Sequence, residues 1–488
     1  MSINHLAACC AAKRVSFVQR KLRSVLGFLC LFVIAVSSSA ARADVILHAF
    51  NWRYSEVESK AQAIKDAGYK AVLVAPAYKA SGTEWWARYQ PQDYRVIKHS
   101  LGDTQSFASM IRALDAKGVR VYADVVPNHM ANEAAQRSDL NYPGSAVLAQ
   151  YAGNMSYYNA QRLFGDLRYN FMGVNDFGPA SCIQNYLDVW QVQNWRLCNG
   201  AGDAGLPDLI GNSWIVSQQQ EYLRALKALG VKGFRVDAVK HMKMPHVNAV
   251  FSSDIKSGMH VFGEVITSRG TGDDEYRLFL QPYLNQTNHG AYDFPLHGSL
   301  REAFRFGGSM SALVNPQAVG QALAGSRAVT FTVTHDMPNN PGIFGWMILN
   351  QDDETLAYAY VLGRDGGSPL VFSDHGESRA DLYGARWNNA FQRSDIKAMI
   401  KFHNAAQGND FQVLSYSDCH LLFRRGSRGI VGINKCGTTV NTTINMNNSV
   451  LWWYTNYTDT LSGNVVFINS ANYSFSLPAR KARMWLRP

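Results

Sequence analysis

The chain has 488 residues, of which 47% are hydrophobic, 12% aromatic and 17% charged, so it carries enough apolar side chain for a large core and is neither disordered nor dominated by charge. That length allows two to four domains, or one large barrel with attachments. The net charge of +10 points to an anionic partner only until its location is considered: six bases (Lys13, Arg14, Arg20, Lys21, Arg23 and Arg42) and no acid lie in residues 1–43, and +4 remains beyond them, a solvated surface with no clustered basic run for nucleic acid.

Residues 1–43 combine a basic stretch, an apolar run from Val25 to Val36, and small residues with Ala41 and Ala43 in Ala-x-Ala spacing. This is the pattern of a secretory signal peptide. An uncleaved anchor is the competing reading, but the run has twelve residues, short of the roughly 20 needed to span a bilayer. The expected mature protein starts near Asp44, is exported to the medium or the periplasm, and has no membrane segment. Export removes Cys9, Cys10 and Cys30 and leaves Cys182, Cys198, Cys419 and Cys436. An oxidising destination makes two short-loop disulfides the natural reading, although four cysteines permit three connectivities.

Three times an amphipathic helical pattern ends in glycine and a β-rich run follows. Val57, Ala61, Ile64 and Ala67 precede Gly68 and the run Ala71 to Pro76; Phe107, Met110, Ile111 and Leu114 precede Gly118 and Val119 to Val126; Tyr222, Leu223, Leu226 and Leu229 precede Gly230 and Gly233 to Val239. Each set marks one buried helix face, a left-handed residue past the helix end, and a strand covered on both sides. Val45 to Trp52, His260 to Val265, Ala291 to Phe294, Ala328 to His335 and Ser368 to His375 bring the strand candidates to eight. Eight parallel strands with intervening helices predict an α/β fold of the closed (β/α)8 barrel type, with an open doubly wound sheet as the alternative. The barrel is expected over 44–126 and 207–407. A polar, Tyr-, Asn- and Gly-rich stretch over 127–206 reads as a small domain inserted after the third strand. Short alternating runs over 408–488 read as a C-terminal antiparallel β-sandwich.

In such a barrel the chemistry sits at the carboxyl ends of the strands. The third strand ends DVVPNH (124–129), the fourth runs GFRVDAVKH (233–241), the fifth ends GEV (263–265) and the seventh ends with His335 and Asp336. Three carboxylates converging on one barrel mouth suit glycosidic bond cleavage, in which one acid protonates the leaving oxygen and another attacks or stabilises an oxocarbenium-like carbon. Arg235 lies two residues before Asp237, on the same face of a strand, and its guanidinium would keep Asp237 ionised. Glu264 follows apolar Val261 and Phe262, and burial near a second carboxylate would raise its pKa toward that of an acid catalyst.

These motifs, together with LPDL (206–209), resemble in order those of the α-amylase family of glycoside hydrolases, and the resemblance covers essentially the whole mature chain. It implies a catalytic (β/α)8 barrel with an inserted domain and a C-terminal sandwich. It also implies endo-hydrolysis of internal α-1,4-glucosidic bonds of starch, glycogen or malto-oligosaccharides, with retention at the anomeric carbon. By matching position, Asp237 is the expected nucleophile, Glu264 the general acid/base and Asp336 the third carboxylate, while His129, Arg235 and His335 are expected to bind the sugar at the cleaved bond. Trp86 and Tyr89, in the run Trp85 to Pro91, resemble the loop whose tyrosine stacks on that sugar; Trp85 serves the core and the sugar readings equally. Lys240 and His241 resemble residues on the leaving-group side.

A calcium ion is implied as well. Asn128 and Asp208 offer the oxygen ligands that this hard cation prefers, His241 would add its backbone carbonyl, and the run Gln191 to Leu197 would supply Gln193 and Asn194. Such an ion would staple the inserted domain to the barrel. Chloride-dependent members carry an asparagine where this chain has Thr334 and a further base near the eighth strand, where it has Ser368, Pro369 and Leu370; no chloride dependence is expected. A literal GxGxxG from Gly200 to Gly205 follows a cysteine, outside a strand-to-helix turn, and lacks the context for dinucleotide binding. Trp452, Trp453 and Tyr454 are expected as buried sandwich aromatics, with a secondary starch-binding surface as the other reading. Transglycosylation and non-catalytic binding on the same scaffold are the rival functions, and a monomer is the expected state.

Overall fold

The computed structural model describes residues 44–488 other than 136, 137 and 139. The proposed signal segment lies outside these described residues. Eight parallel strands close a barrel: β1 (Ile46–Ala49), β2 (Ala71–Val74), β3 (Arg120–Val125), β4 (Gly233–Val236), β5 (His260–Gly263), β6 (Gly290–Tyr292), β7 (Ala328–Thr330) and β8 (Ser368–Ser373). Each strand pairs with its sequence neighbours and β8 returns to β1, so no edge is left unpaired. The closed barrel, rather than the open sheet, is therefore the fold.

Period-two alternation explains why these strands read as continuous apolar runs. Along β1, Ile46 and Phe50 point into the barrel, where they meet Leu73, Tyr122, Phe262, Tyr292, Val329 and Leu370. Val45, Leu47 and Ala49 face outward against the helices. Both faces are dry, so both carry apolar side chains. Helices α1 (Tyr54–Ser59) and α2 (Ala61–Asp66) precede β2, α3 (Thr104–Asp115) precedes β3, and α4 (Ser213–Leu229) precedes β4. Gly230 closes α4 at φ 110°, donating its N–H to the Leu226 and Lys227 carbonyls, a conformation that costs a residue with a Cβ far more than it costs glycine.

Between β3 and β4 the chain makes short helices at Ser145–Gly153, Met155–Gln161 and Val189–Val192, and Cys182 is bonded to Cys198. Isolated bridges pair His129 with Asp208 and Leu197 with Leu206, drawing the end of this excursion back to the barrel. Beyond α5 (Phe294–Phe304), α6 (Gln351–Gly363) and α7 (Ser394–Ala406) come eight antiparallel strands: β9 (Phe411–Tyr416), β10 (His420–Arg425), β11 (Gly429–Asn434), β12 (Val440–Asn445), β13 (Thr455–Asp459), β14 (Val465–Ile468), β15 (Asn472–Leu477) and β16 (Lys481–Leu486). A six-stranded sheet in the order β9-β10-β11-β16-β13-β14 faces the pair β12-β15. Leu422, Ile430, Tyr457, Phe475, Leu477 and Trp485 fill the space between them, and a Cys419–Cys436 bond ties the start of β10 to the end of β11.

The expectation that Trp452, Trp453 and Tyr454 fill this core is wrong: they are 60%, 43% and 73% exposed. They lie in an irregular segment before β13, and Leu451 and Tyr457 on either side supply the core contacts instead.

The tightest helix-free approach in the barrel wall is at Gly233, directly opposite Tyr122 in register, where a Cβ would lie 2.5 Å from the tyrosine ring. Gly233→Ala is expected to destabilise the protein by about 1–3 kcal/mol through overpacking, read as a lowered denaturant midpoint at unchanged m-value. An unaltered midpoint would mean that the Tyr122 ring has room to move.

Candidate active site

Register brings the site together before any side-chain contact is considered. Asp124 on β3 lies opposite Arg235 on β4. The ladder continues one residue past each strand: the Asp237 amide donates to the Val125 carbonyl and the Glu264 amide to the Val236 carbonyl, both at 2.9 Å. These bonds fix the two carboxylates at adjacent strand ends. Ala238, at φ 48°, turns the chain away immediately after Asp237, and its N–H donates to Glu264 Oε2 at 3.3 Å.

One guanidinium organises the carboxylates. Arg235 is fully buried; its Nη1 lies 2.9 and 2.8 Å from the two Asp124 oxygens and 2.7 Å from Asp237 Oδ1, and its Nη2 contacts Glu264 Oε1. Tyr89 and Tyr292 present their rings to the same cation at 5.7 and 5.8 Å. Burial pushes the Glu264 carboxyl up to about 7, with Arg235 opposing and Asp336, its hydrogen-bond partner, reinforcing the rise. Burial also raises Asp237, against the pull of Arg235. Asp336 is raised by burial too, and again Arg235 opposes the shift. Burial and the hydrogen bond to Asp336 thus favour the protonated form of Glu264, while at Asp237 the guanidinium opposes the rise that burial causes.

Around the carboxylates stand neutral rings. The His335 ring stacks on Tyr89 with centroids 5.0 Å apart, and its Nε2 lies 3.4 Å from Asp336 Oδ2. Burial holds His335 and His129 below the ordinary histidine range. His129 Nε2 meets the Tyr89 carbonyl at 3.0 Å, and the Tyr89 hydroxyl donates to Asp124 Oδ2 at 3.1 Å. Trp85 rather than Trp86 joins this cluster, with its ring 6.1 Å from Phe50 and 6.2 Å from His335; Trp86 is half exposed. Lys240 Nζ donates to Glu275 Oε1 at 2.6 Å. The His241 ring meets the Val192 carbonyl at 3.1 Å, which ties the helix at Val189–Val192 to the turn after β4.

Three side chains in this region carry weight that the motifs alone do not show. Asp124 takes both oxygens to Arg235; His48 on β1 sets its ring edge-on to His335 at 5.3 Å; and Asn340 donates to Asp336 Oδ1 at 3.3 Å. The inward phase of β1, which His48 shares with Ile46, was the available signal for the histidine. Asn340 lies in a turn and had none.

A second cluster lies beneath the cleft. As positioned, Asn128 Oδ1 sits 3.1 Å from the His241 carbonyl oxygen and 3.2 Å from Asp208 Oδ1, so that acceptor faces acceptor. Amide rotation would place an N–H between them; a cation would do the same with all three oxygens kept as ligands. Asn128 and Asp208 are held side by side by the His129–Asp208 bridge and by the Leu209 amide, which donates to the Asn128 carbonyl at 2.9 Å. A Cβ at Gly178 would lie 2.9 Å from the Asn194 carbonyl oxygen and 3.5 Å from Asp208 Oδ2. The Asn194 side chain donates to the Trp190 carbonyl, while its backbone carbonyl oxygen, like Asp208 Oδ2, borders the space beside Gly178.

Residues 55–276 match the family model described as the α-amylase catalytic domain. A curated α-amylase of Aeromonas hydrophila is 57% identical over 442 residues, covering 90% of this chain and 95% of its own length. The chain belongs to the α-amylase family of glycoside hydrolases. The enzyme is an endo-acting hydrolase of starch. Among solved structures, α-amylase I of Eisenia fetida shares the fold at a TM-score of 0.71 and 23% identity, covering 91% of this chain and 97% of its own. The cyclomaltodextrin glucanotransferase CldA shares it at a TM-score of 0.66 and 20% identity, over 89% and 91% of the two chains.

Replacing the guanidinium that spans Asp124, Asp237 and Glu264 tests how far this amylase site depends on it. Lysine offers one point charge where the site uses a planar fork. Arg235→Lys is expected to lower stability by about 3 kcal/mol and kcat/KM on soluble starch by on the order of a hundredfold. Near-wild-type values for both would show that the fork geometry is dispensable.

Proposed function

We propose that Asp237 is the nucleophile and Glu264 the general acid/base of a retaining hydrolysis, with Asp336 binding the sugar so as to stabilise the transition state. The observation that carries this reading is an asymmetry between two acids that both touch the Arg235 guanidinium: Asp237 lies 2.7 Å from it with, among the described residues, no second acid hydrogen-bonded to it, whereas the Glu264 carboxyl, hydrogen-bonded to Asp336, is pushed up to about 7. Glu264 donates its proton to the leaving glycosidic oxygen as Asp237 attacks the anomeric carbon. Glu264 then takes a proton from the water that resolves the glycosyl-enzyme. Tyr89 and Trp85 offer ring faces to the sugar, His129 and His335 supply neutral hydrogen-bonding groups, and Lys240 and His241 line the leaving-group side. Glycogen and malto-oligosaccharides present the same bond and are the other expected substrates. The residues of the N-terminal segment support export of the enzyme.

The assay is loss of iodine staining against release of reducing ends on soluble starch. Fast staining loss with few new ends is expected from the wild type, an α-configured first product, and a loss of on the order of 10⁴-fold in kcat for Asp237→Asn and Glu264→Gln. Because the acid must carry its proton, kcat/KM should fall as pH rises through about 7. With Thr334 and Ser368 where chloride-dependent relatives place their ligands, added chloride should change nothing. Staining loss with almost no new reducing ends would instead identify a transglycosylase, and full activity in Asp237→Asn would remove its assigned role.

The oxygens of Asn128, Asp208 and the His241 carbonyl fit a calcium ion, a hard cation that takes carboxylate, amide and backbone oxygens. When bound it would clamp the excursion between β3 and β4 onto the turn that follows Asp237. At a hundredfold excess over its Kd the ion would add about 3 kcal/mol to stability, so chelation should lower the melting temperature, calcium should restore it, and Asp208→Asn should blunt the restoration. Identical melting with and without chelator would exclude the site.

A further inference from the structure

The surface of the C-terminal sandwich around β13 and β14 differs in chemistry from the rest of the molecule. From Asn441 to Ala479 the sequence holds a single charged residue, Asp459, which is buried and paired with Arg483. Protein surfaces ordinarily carry charge at about 25–35% of positions. In place of charges this stretch has asparagines, serines and threonines, and among them the exposed side chains of Trp452, Trp453, Tyr454 and Phe467.

These aromatic side chains are held in place. The Arg487 guanidinium lies 3.9 Å from the Trp452 ring, and the Trp452 carbonyl accepts from the Tyr457 hydroxyl at 3.0 Å. The Trp453 indole N–H donates to Asn447 Oδ1 at 3.1 Å. Tyr454 adopts φ 60°, a left-handed conformation that a bulky residue takes only at a cost, and its ring meets Phe467 edge-on at 5.2 Å. Side chains left in water gain nothing from burial to offset such ordering, so a fixed, exposed aromatic row is the signature of a surface prepared for a ligand.

We propose that this row is an accessory binding platform for a chain of α-linked glucose, separate from the cleft. The inference rests on the starch-hydrolysing activity and adds a second place on the enzyme where that polymer is held. The ligand class follows from the chemistry of residues 441–479: flat rings match the apolar faces of pyranose rings, amides and hydroxyls match sugar hydroxyls, and a stretch whose one charged residue is buried matches a neutral polymer. An anionic membrane or an acidic protein would call for unengaged lysine or arginine, whereas Arg480, Arg483 and Arg487 beside this stretch meet Asp353, Asp459 and the Trp452 ring. Because the platform and the barrel share one chain, a glucan strand held there stays at high effective concentration near the cleft. The benefit is expected for polymers and granules, whose strands can engage both places at once.

The test uses the mature protein in two backgrounds. In Glu264→Gln protein, which holds glucan without cleaving it, partition onto granular starch is measured for the parent, for Trp453→Ala, and for Trp452→Ala with Trp453→Ala. In the otherwise wild-type enzyme, turnover of maltoheptaose and the melting temperature are measured for the same substitutions. The platform predicts at least a fivefold weaker partition in the double variant, an intermediate loss in the single one, and unchanged kcat/KM on maltoheptaose. Unchanged partition in correctly melting variants overturns it. So does conversion of a dimer to a monomer by the same substitutions, which would identify the row, with the free edge of β14, as a contact between copies. Failure of the wild type to cleave starch at all would instead strike the catalytic reading, which the partition measurement does not depend on.

Discussion

The buried guanidinium of Arg235 is the constraint around which the rest of the site is arranged. A fully desolvated cation costs several kcal/mol unless charge is returned to it, and here the return comes from three strands: Asp124 of β3, Asp237 just past β4, and Glu264 just past β5. The balance is uneven by construction. Asp124 takes two oxygens to the cation and contacts no solvent, so it neutralises Arg235 without being available for chemistry. That leaves the carboxylates at the open mouth to divide the remaining charge and one proton. Burial makes the division decisive, because in a medium of low polarity neighbouring acids cannot all ionise.

The same burial keeps the nearby imidazoles uncharged. His48, His129 and His335 are held below the usual histidine range, chiefly by desolvation. A protonated histidine there would compete with Arg235 for the carboxylates and would pull the Glu264 proton away. The stacked Tyr89 and His335 rings and the Tyr89 hydroxyl on Asp124 therefore act on the electrostatics as well as on shape. They exclude water from one side of the cation and spend the last oxygen capacity of Asp124.

The excursion between β3 and β4 is joined to this centre through both backbone and side-chain groups. His129 and Asp208 form a bridge, the His241 ring holds the Val192 carbonyl, and three oxygens from Asn128, Asp208 and His241 converge on one point. Whatever fills that point ties the turn after Asp237 to Asn128, more than a hundred positions upstream, and to Asp208. The position of Asp237 thus depends on a segment with little regular structure of its own.

Much of this was legible in the chain because it follows from short-range periodicity. Strand phase, helix faces ending at Gly68, Gly118 and Gly230, and polar residues closing apolar runs all derive from the pleat of a strand and the pitch of a helix, so the barrel and the placing of acids such as Asp237 and Glu264 at its strand ends could be read directly, while the two short-loop disulfides were the natural reading among three connectivities. What sequence did not decide was set by contacts between residues distant along the chain. The double grip of Asp124 on Arg235, the edge-on packing of His48 on His335 and the hydrogen bond between Glu264 and Asp336 depend on how strands were brought side by side. The three consecutive aromatics at 452–454 carry no phase, because a segment outside a strand or helix imposes none; only the filling of the sandwich by Leu451 and Tyr457 left them in water. Local sequence determined which elements form and which face each one buries. Tertiary packing alone decided which charges meet without water between them, since desolvation belongs to an enclosure built by the whole fold and not to any residue within it.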